Sequence, residues 1–228
     1  MNPARGIFVT GTDTGVGKTV VAAALLRGLA LDGLRAVGMK PVAAGIEPGQ
    51  AVNADVALLL AAGNVAAPLP DVNPYTFAPP IAPHIAAAKS GTAIDLERIA
   101  AAYRRLAAHA DVIVVEGAGG ALAPLSQRAD MLDIAARLRL PVLLVVGVRL
   151  GCLNHALLTA LAIRARGLAL AGWVANRIDP AMAEADANVA TLVRRLPAPL
   201  IADLPWHASG GQAYPVRGIA GLASGLPA

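Results

Sequence analysis

The stretch "VTGTDTGVGKTVV", Val9 to Val21, indicates the fold more clearly than any other part of the sequence. An apolar run leads into it, a loop rich in glycine and threonine follows, and a helical pattern begins at Lys18. Strand, loop and helix in this order surround a phosphate with backbone N–H groups and the positive end of a helix dipole. The sequence of this loop departs from the Walker A motif G-x-x-x-x-G-K-[ST], because the leading glycine lies one position early, at Gly11. We therefore expect a variant phosphate loop rather than a glycine-rich turn that binds nothing.

The loop residues have distinct expected tasks in holding a nucleotide. Lys18 is expected to contact the β- and γ-phosphates, and Thr19 to offer its hydroxyl to Mg²⁺. The expected nucleotide-binding residues of the loop are Thr12, Asp13, Thr14, Gly15, Val16, Gly17, Lys18 and Thr19.

Length and composition point to a folded domain. The 228 residues suffice for one α/β domain, and we expect a single domain over residues 1–228. Hydrophobic residues make up 56% and charged residues 15%, which argues against disorder. The net charge of +4 comes from scattered basic residues, a pattern that argues against nucleic-acid binding. Cys152, the single cysteine, excludes an internal disulfide and fits a reducing cytoplasm, and we expect neither a signal peptide nor a membrane span.

Short apolar runs alternate with longer helical patterns along the chain. The runs lack polar alternation, which is typical of strands covered on both faces. The predicted strands are Gly6–Thr10, Ala36–Met39, Val112–Glu116, Val142–Gly147, Ala171–Ala175 and Leu200–Ala202. The predicted helices are Lys18–Leu31, Asp55–Ala62, Asp95–Ala108, Met131–Leu138, Asn154–Arg166 and Ala181–Leu196. This alternation predicts a doubly wound, mostly parallel sheet with helices on both faces and ligands at the carboxyl ends of its strands.

The segment from Pro68 to Pro83, "PLPDVNPYTFAPPIAP", interrupts this alternation. Its prolines disfavour both a helix and a central strand, because proline has no backbone N–H to donate. We expect an ordered excursion beside the sheet.

Charged residues follow two of the predicted strands. Glu116 ends the strand in "DVIVVEGAGG", where it fits an oxygen ligand of Mg²⁺ or a cap of the next turn. Lys40, in "GMKPVAAG", fits a position in the site or an edge lysine that faces water. Asp55 follows Asn53, the predicted N-cap of the next helix, and fits a metal ligand or a charge favoured by the helix dipole.

Two later stretches present polar groups at the same edge of the predicted sheet. In "VGVRLGCLNHALLT", a helix start with N–H groups suited to a carboxylate or another anion comprises Gly151, Cys152, Leu153 and Asn154. Cys152 itself fits a buried structural thiol, because the sequence shows no His–acid partner for a nucleophile. In "AGWVANRID", the amide of Asn176 fits the edge of a nucleobase or the stabilisation of a turn.

Taken together, six stretches resemble the dethiobiotin synthetase family. They are "VTGTDTGVGKTV", "GMKPVAAG", "NPYTFAPPIAPH", "VEGAGG", "LPVLLVVGVRLGCLNHALLT" and "AGWVAN", in that order along the chain, and the resemblance fades after Trp206. The resemblance implies a cytoplasmic homodimer with the site at the subunit interface, and neither nucleic acid nor membrane as partner. It also implies an ATP- and Mg²⁺-dependent reaction of CO₂ or bicarbonate with 7,8-diaminononanoate, through a carbamate and a carbamic–phosphoric anhydride, to dethiobiotin, ADP and phosphate.

The resemblance also implies a task for each matching residue. The implied catalytic residues are Thr14, Lys18 and Lys40. The implied metal ligands are Thr19, Asp55 and Glu116, of which Glu116 also belongs to the nucleotide site, and Asn176 is expected to contact adenine. The implied substrate contacts are Lys40, Ala44 and the stretch Gly151, Cys152, Leu153 and Asn154, the last four from the neighbouring subunit.

Two positions depart from the family pattern. Ala44 stands where a serine is common, and Asn188 falls on or near a tyrosine that reaches the substrate carboxylate. Both changes concern substrate contacts, and neither touches the phosphate and metal residues, so we expect the same reaction.

Two other classes compete with this interpretation, and the first of them shares the variant loop. Amidotransferases of the cobyrinate-diamide type carry a glutaminase domain, for which 228 residues leave no room. Partitioning ATPases of the ParA/MinD type usually carry a second lysine in the loop and a basic face or an amphipathic tail. This loop reads Thr-Asp-Thr-Gly, and the final "GIAGLASGLPA" has no charged side chain. The sequence therefore favours the ligase.

Overall fold

The structure, a computed structural model, describes residues 5–46 and 49–206. The strands are β1 (Arg5–Gly11), β2 (Ala36–Met39), β3 (Val42–Ala44), β4 (Tyr75–Phe77), β5 (Val112–Glu116), β6 (Val142–Val148), β7 (Leu170–Arg177) and β8 (Leu200–Leu204). The helices are α1 (Lys18–Leu31), α2 (Ala54–Ala62), α3 (Leu69–Val72), α4 (Pro83–Lys89), α5 (Leu96–Ala107), α6 (Met131–Leu138), α7 (Cys152–Ala165) and α8 (Ala185–Arg195). Within these ranges, six strands form one sheet in the order β2-β5-β1-β6-β7-β8, and β3 and β4 form a second, two-stranded sheet.

Every strand pair within the described ranges is parallel, as the apolar runs predict. Successive side chains of a strand point to opposite faces of the sheet. In β1, Ile7 and Val9 pack with α1 and α2, whereas Phe8 packs on the opposite face with α5 and α6. On that second face, Trp173 of β7 packs with α7 and α8. Helices therefore cover both faces of the sheet, and the predicted fold class is confirmed.

All six predicted strands are present, and their ends differ by a few residues. β7 is the most extended, because it continues to Arg177 beside β6 and β8. Helix α7 begins at Cys152, two residues before the predicted start. Cys152 is a buried thiol with 2% of its surface exposed, as predicted. Among the described residues, no helix combines the length and apolarity needed to span a membrane.

The excursion from Pro68 to Pro83 lies outside the six-stranded sheet, as expected, but the prediction that it contains no helix is wrong. Residues Leu69–Val72 form the short helix α3, with a proline in its first turn, and Pro83 begins α4. Proline is compatible with a first helical turn, since the N–H that it lacks would have no intrahelical partner there. Between the two helices, β4 pairs with β3 just beyond the end of β2. The excursion is thereby attached to the carboxyl end of the sheet.

Helix α1 offers a test of how much its packing stabilises the fold. Leu25 is 1% exposed in the core between α1 and the sheet, whereas Leu31, in the same helix, is 61% exposed. We expect Leu25→Ala to lower the free energy of unfolding by about 2–5 kcal/mol, because it removes buried apolar surface and leaves a cavity. Leu31→Ala is the matched control and should change it by less than about 0.5 kcal/mol. Urea unfolding of the two variants measures both values, and equal losses would contradict the described core.

Candidate active site

The displaced glycine of the phosphate loop has a steric reason. A Cβ at Gly11 would lie 2.6 Å from the Val16 side chain and 3.1 Å from that of Lys18, so any larger residue would push the loop off the end of β1. Gly15 and Gly17 have φ angles of 74° and 87°, in the left-handed region that favours glycine. The glycine positions of this variant loop therefore follow from its own path, in which the loop closes over the strand end.

Asn176, near the end of β7, stabilises the phosphate loop through a hydrogen bond to its backbone. Its Nδ2 donates a hydrogen bond to the carbonyl oxygen of Val16 at 2.8 Å. A side chain at Gly17 would collide with the same amide. The structure thus gives Asn176 the turn-stabilising contact, and its predicted contact with adenine remains a prediction.

Lys18 lies at the start of α1 with 6% of its surface exposed. Its Nζ donates to the carbonyl oxygen of Asp13 at 2.9 Å, so the side chain curls back over the loop. Burial, together with the nearby charge of Lys40, lowers the pKa of Lys18 to about 8. An anion in the loop would relieve this repulsion, and the loop is therefore electrostatically suited to phosphate.

Lys40 is not an edge lysine facing water. Only 4% of it is exposed, and its Nζ lies 2.9 Å from Asp55 Oδ2 and 2.5 Å from Glu116 Oε1. Three elements bring these groups together: the end of β2, the first turn of α2 and the end of β5. We call Lys40, Asp55 and Glu116 the buried charge cluster; its lysine and its glutamate are buried, whereas 44% of the Asp55 side chain is exposed.

Charge attraction outweighs burial in this cluster. Burial disfavours the ammonium of Lys40, yet the carboxylates of Glu116 and Asp55 raise the pKa of Lys40 above its ordinary value. Burial likewise disfavours the charge of Asp55, but the ammonium of Lys40 outweighs it and holds the pKa of Asp55 below its ordinary value. Lys40 is therefore a permanent cation at neutral pH.

Glu116 has spare capacity to bind a further group. It is fully buried, and its Oε1 accepts hydrogen bonds from Lys40 Nζ and from the Thr19 hydroxyl, the latter at 2.8 Å. Its Oε2 is buried without a hydrogen-bond partner among the described residues. A buried carboxylate oxygen in this state carries a desolvation cost that a ligand would offset.

These groups face one cleft with a volume of about 710 Å³ at the carboxyl end of the sheet. Its charged and polar wall contains Thr14, Lys18, Thr19, Lys40, Asp55 and Glu116, joined by Gly15, Gly17 and Ala44. Its apolar wall consists of Leu58 and the run Pro80, Ile81, Ala82 and Pro83. A cleft of this size with both a polar and an apolar wall is suited to a small molecule that carries both kinds of surface.

Other predicted site residues do not line this cleft. The stretch from Gly151 to Asn154 begins α7, and Asn188 lies on α8, where its Nδ2 donates to the carbonyl oxygen of Glu184. Thr12, Asp13 and Val16 belong to the loop but are not among the residues that line the cleft. Asp13 instead accepts hydrogen bonds from the Thr14 N–H and from Arg149 Nη2, both at 2.7 Å.

The sequence hypothesis missed several residues of the site. The apolar wall from Pro80 to Pro83 lies in the excursion, whose prolines gave no sign that it borders the cleft. Asn53 was predicted only as a cap. Its Oδ1 indeed accepts from the N–H groups of Asp55 and Val56, and its Nδ2 also donates to the carbonyl oxygen of Gly45 at 2.5 Å. Asn53 therefore joins the loop after β3 to the helix that carries Asp55.

Comparison with known proteins agrees with this geometry. A family model described as an AAA domain matches residues 5–213. The ATP-dependent dethiobiotin synthetase BioD of Aromatoleum aromaticum is 55% identical over 212 residues, which covers 92% of this chain and 94% of that relative. The protein of the same name from Nitrosospira multiformis is 55% identical over 206 residues, or 90% of each chain.

A solved structure shows the same fold at low identity. The septum site-determining protein MinD complexed with Mg-ADP, from Pyrococcus horikoshii OT3, superimposes with a TM-score of 0.59 at 17% identity. The superposition covers 96% of this chain and 98% of that chain. At this identity the likeness shows the fold alone, and it confirms the phosphate-loop α/β class.

The buried charge cluster makes a prediction about stability. Lys40→Met removes the cation and leaves Glu116 buried without a charge partner, so the free energy of unfolding should fall by about 3–5 kcal/mol. The control is Lys89→Met at the exposed end of α4, which should change it by less than about 0.5 kcal/mol. Adding Glu116→Gln to Lys40→Met should recover much of the loss, because the orphaned charge is gone. Chemical unfolding measures all four proteins, and equal stability of the two lysine variants would contradict the cluster.

Proposed function

We propose that this chain, which belongs to the family of ATP-dependent dethiobiotin synthetases, closes the ureido ring of dethiobiotin in biotin biosynthesis. The observation that carries this proposal is the pair of lysines, Lys18 and Lys40, buried in one cleft beside the phosphate loop. Ring closure requires a triphosphate and a carbamate to meet while both are anionic, and such a pair of cations offsets their repulsion.

The proposed reaction has three steps. One amine of 7,8-diaminononanoate adds to CO₂ and loses a proton to give a carbamate. A carbamate oxygen then attacks the γ-phosphorus of ATP, the bond from this phosphorus to the bridging oxygen breaks, and ADP leaves, which gives a carbamic–phosphoric anhydride. The second amine attacks the carbonyl carbon, phosphate leaves with the carbon–oxygen bonding pair, and loss of a proton completes the ring.

The chain's own polar groups take part in these steps. Lys18 contacts the transferred phosphate from the loop, and Thr14, in the same loop, contacts phosphate or carbamate. Lys40, which belongs to the same charged and polar wall of the cleft, contacts the carbamate. Its ammonium is held by Asp55 and Glu116, so it is already in place before the substrate arrives and needs little reorganisation.

We propose that Thr19, Asp55 and Glu116 hold Mg²⁺ when ATP is bound. Hydroxyl and carboxylate oxygens are the ligands that this ion prefers, and the unpartnered Oε2 of Glu116 supplies a free one. Within the described residues, no three His, Cys, Asp or Glu side chains form a metal cluster, which fits an ion held partly by phosphate oxygens. Bound Mg²⁺ would neutralise charge that develops on the phosphates during transfer.

The substrate carries a carboxylate at the end of its chain away from the two amines. We propose that the N–H groups of Gly151, Cys152, Leu153 and Asn154 of the neighbouring subunit bind it, since these residues lie outside the cleft of their own chain. Ala44 lines the cleft where a serine would offer a hydroxyl near the carbamate, and the family tyrosine that reaches the carboxylate falls on or near Asn188. The first departure therefore concerns the carbamate and the second the carboxylate, and Asn176 is proposed to contact the adenine of ATP.

The outer side of α7 supports a homodimer. Leu158 and Leu161 are 56% and 53% exposed and lie one turn apart, and Leu150, just before the helix, is 90% exposed. Leu122 is 54% exposed and lines a groove together with Leu158 and Thr12, the first residue of the loop. A second copy that covered these four leucines, which we call the α7 surface, would bury apolar area next to the cleft.

The proposed reaction demands a specific dependence on its substrates. With Mg²⁺ present, ADP release should require both bicarbonate and 7,8-diaminononanoate, and ¹⁴C from bicarbonate should appear in dethiobiotin. Omission of the diamine is the control and should leave only background hydrolysis. ATP turnover that ignores the diamine, or that DNA or lipid vesicles stimulate, would overturn the proposed function.

The proposed homodimer can be tested on the α7 surface. The double variant Leu158→Asp/Leu161→Asp should halve the mass measured by light scattering, because it puts charges into the apolar contact. It should also lose ring closure while it retains ATP binding, since the phosphate loop belongs to one chain. Leu31→Asp places the same charge on an equally exposed leucine of α1 and should leave the mass unchanged. A wild-type protein that is monomeric at assay concentration would contradict the homodimer.

A further inference from the structure

Lys40 stands just beyond the regular pairing of the sheet. β2 lies at one edge of the six-stranded sheet, and its last ladder pair joins Met39 to Val115. Pro41 follows and has no N–H to donate. The backbone at Lys40 must therefore be held by something other than the main sheet, even though its side chain has to reach both Asp55 and Glu116.

The excursion supplies that hold through both polar groups of the Lys40 backbone. The N–H of Lys40 donates to the carbonyl oxygen of Val72 at 2.8 Å. The carbonyl oxygen of Lys40 accepts from Asn73 Nδ2 at 2.6 Å. At the next residue, Pro41, the carbonyl oxygen accepts a hydrogen bond from the Tyr75 N–H at 3.1 Å. The segment from Val72 to Tyr75 thus clamps the two residues that follow β2.

Asn73 is the central group of this clamp. It is 8% exposed, and its Nδ2 donates a second hydrogen bond to the carbonyl oxygen of Tyr75 at 3.0 Å. Its Oδ1 accepts from the Thr76 hydroxyl, which sets the orientation of the amide so that Nδ2 points towards Lys40. Every polar group of the side chain therefore has a partner, and no aspartate could replace it, because a carboxylate cannot donate to the two carbonyl oxygens.

The clamp is itself attached to α5. The Tyr75 hydroxyl accepts from the Asp95 N–H at 2.9 Å, at the start of that helix. Arg98 lies over the Tyr75 ring, 4.5 Å from its centre, and its Nη2 donates to the carbonyl oxygen of Pro74 at 2.8 Å. Because α5 packs on the sheet, these contacts fix the segment that carries Asn73 relative to the hydrophobic core.

We propose that Asn73 is a positioning residue for the reaction: it fixes the backbone of Lys40 so that the ammonium stands between Asp55 and Glu116 in the geometry that meets the carbamate. This inference rests on the proposed function for the task of Lys40. The link between Asn73 and Lys40 does not rest on that function, because the hydrogen bond from Asn73 Nδ2 to the carbonyl oxygen of Lys40 establishes it. Without the amide, the carbonyl oxygens of Lys40 and Tyr75 lose a donor, and the clamp keeps only its backbone hydrogen bonds from Lys40 to Val72 and from Tyr75 to Pro41.

The first experiment compares Asn73→Ala with a matched asparagine at the other end of β2. Asn64 also bridges backbone groups, since its Oδ1 accepts from the Ala36 N–H and its Nδ2 donates to the carbonyl oxygen of Leu34, but it lies away from the cleft. We expect Asn73→Ala to lower kcat for dethiobiotin about 10- to 100-fold, as for a reacting group displaced by about 1 Å. ATP affinity should stay within about twofold, because Lys18 and the loop are untouched. Asn64→Ala should leave kcat unchanged, and equal kcat in both variants would overturn the proposal.

A double-mutant cycle separates positioning from general damage. If Asn73 acts through Lys40, then Asn73→Ala introduced into Lys40→Met should reduce the remaining rate by less than about threefold. The same factor in both backgrounds would show that Asn73 acts independently of Lys40 and would overturn the proposal. Should Asn73→Ala fail to fold, Thr76→Val provides the milder test, because it frees the amide of Asn73 while keeping its donors. It should lower kcat in the same direction and by a smaller factor.

A spectroscopic measurement makes the outcome independent of the reaction. The chain has three lysines, at positions 18, 40 and 89, so lysine labelled with ¹³C at Cε gives few signals and Lys40→Met assigns one of them. Asn73→Ala should shift the Lys40 signal and leave that of Lys89 unchanged, whereas an unmoved Lys40 signal would overturn the proposal. A wild-type protein that makes no dethiobiotin, but whose Lys40 signal moves in Asn73→Ala, would refute the proposed function and retain the positioning by Asn73.

Discussion

The attraction between the Lys40 ammonium and the two carboxylates around it is the interaction on which the carboxyl end of the sheet depends. Glu116 is completely buried at the carboxyl end of β5, next to the edge strand β2, and an ionised carboxylate in such a place costs several kcal/mol unless a cation meets it. Lys40 meets it at 2.5 Å and reaches Asp55 at the same time. The ends of β2 and β5 must therefore come together for the buried charges of Lys40 and Glu116 to be tolerated, and the first turn of α2 adds the carboxylate of Asp55.

The same constraint explains how the cleft can receive an anionic substrate. The Lys40 ammonium is held by carboxylates but borders the cleft, and Lys18 lies nearby with its pKa lowered to about 8 by burial and by the neighbouring charge of Lys40. Two cations in one buried space repel each other, and an anion that enters between them removes the repulsion. Charge is thus arranged before binding, which is how fixed groups stabilise charge that develops during a reaction. Proteins of other activities share this parallel sheet, so the reaction depends on these residues and not on the fold.

The proline-rich excursion links the fold to the cleft. Its first part clamps the backbone of Lys40 through Val72 and Asn73, and its last part, from Pro80 to Pro83, forms the apolar wall of the cleft. Both parts lie beyond the regular sheet, where backbone groups need partners from elsewhere. A segment without a regular hydrophobic period therefore borders the site on two sides.

The parallel α/β fold, the phosphate loop and the charged residues that follow the strands could all be predicted from the sequence. These features follow from local patterns, because neighbouring residues along the chain specify a buried strand, a glycine-rich loop and the start of a helix. The sequence also predicted the cap formed by Asn53 and the burial of Cys152, but it left Lys40 open between a site residue and an edge lysine. The folded chain shows that Lys40 is a site residue, since its ammonium contacts partners 15 and 76 positions away. It alone also showed that Asn73 holds the Lys40 backbone, that Asn176 supports the loop, and that Gly151 to Asn154 lie outside their own cleft. The physical reason is that such contacts depend on where packing directs each side chain across the sheet, and no local pattern along the chain carries that information.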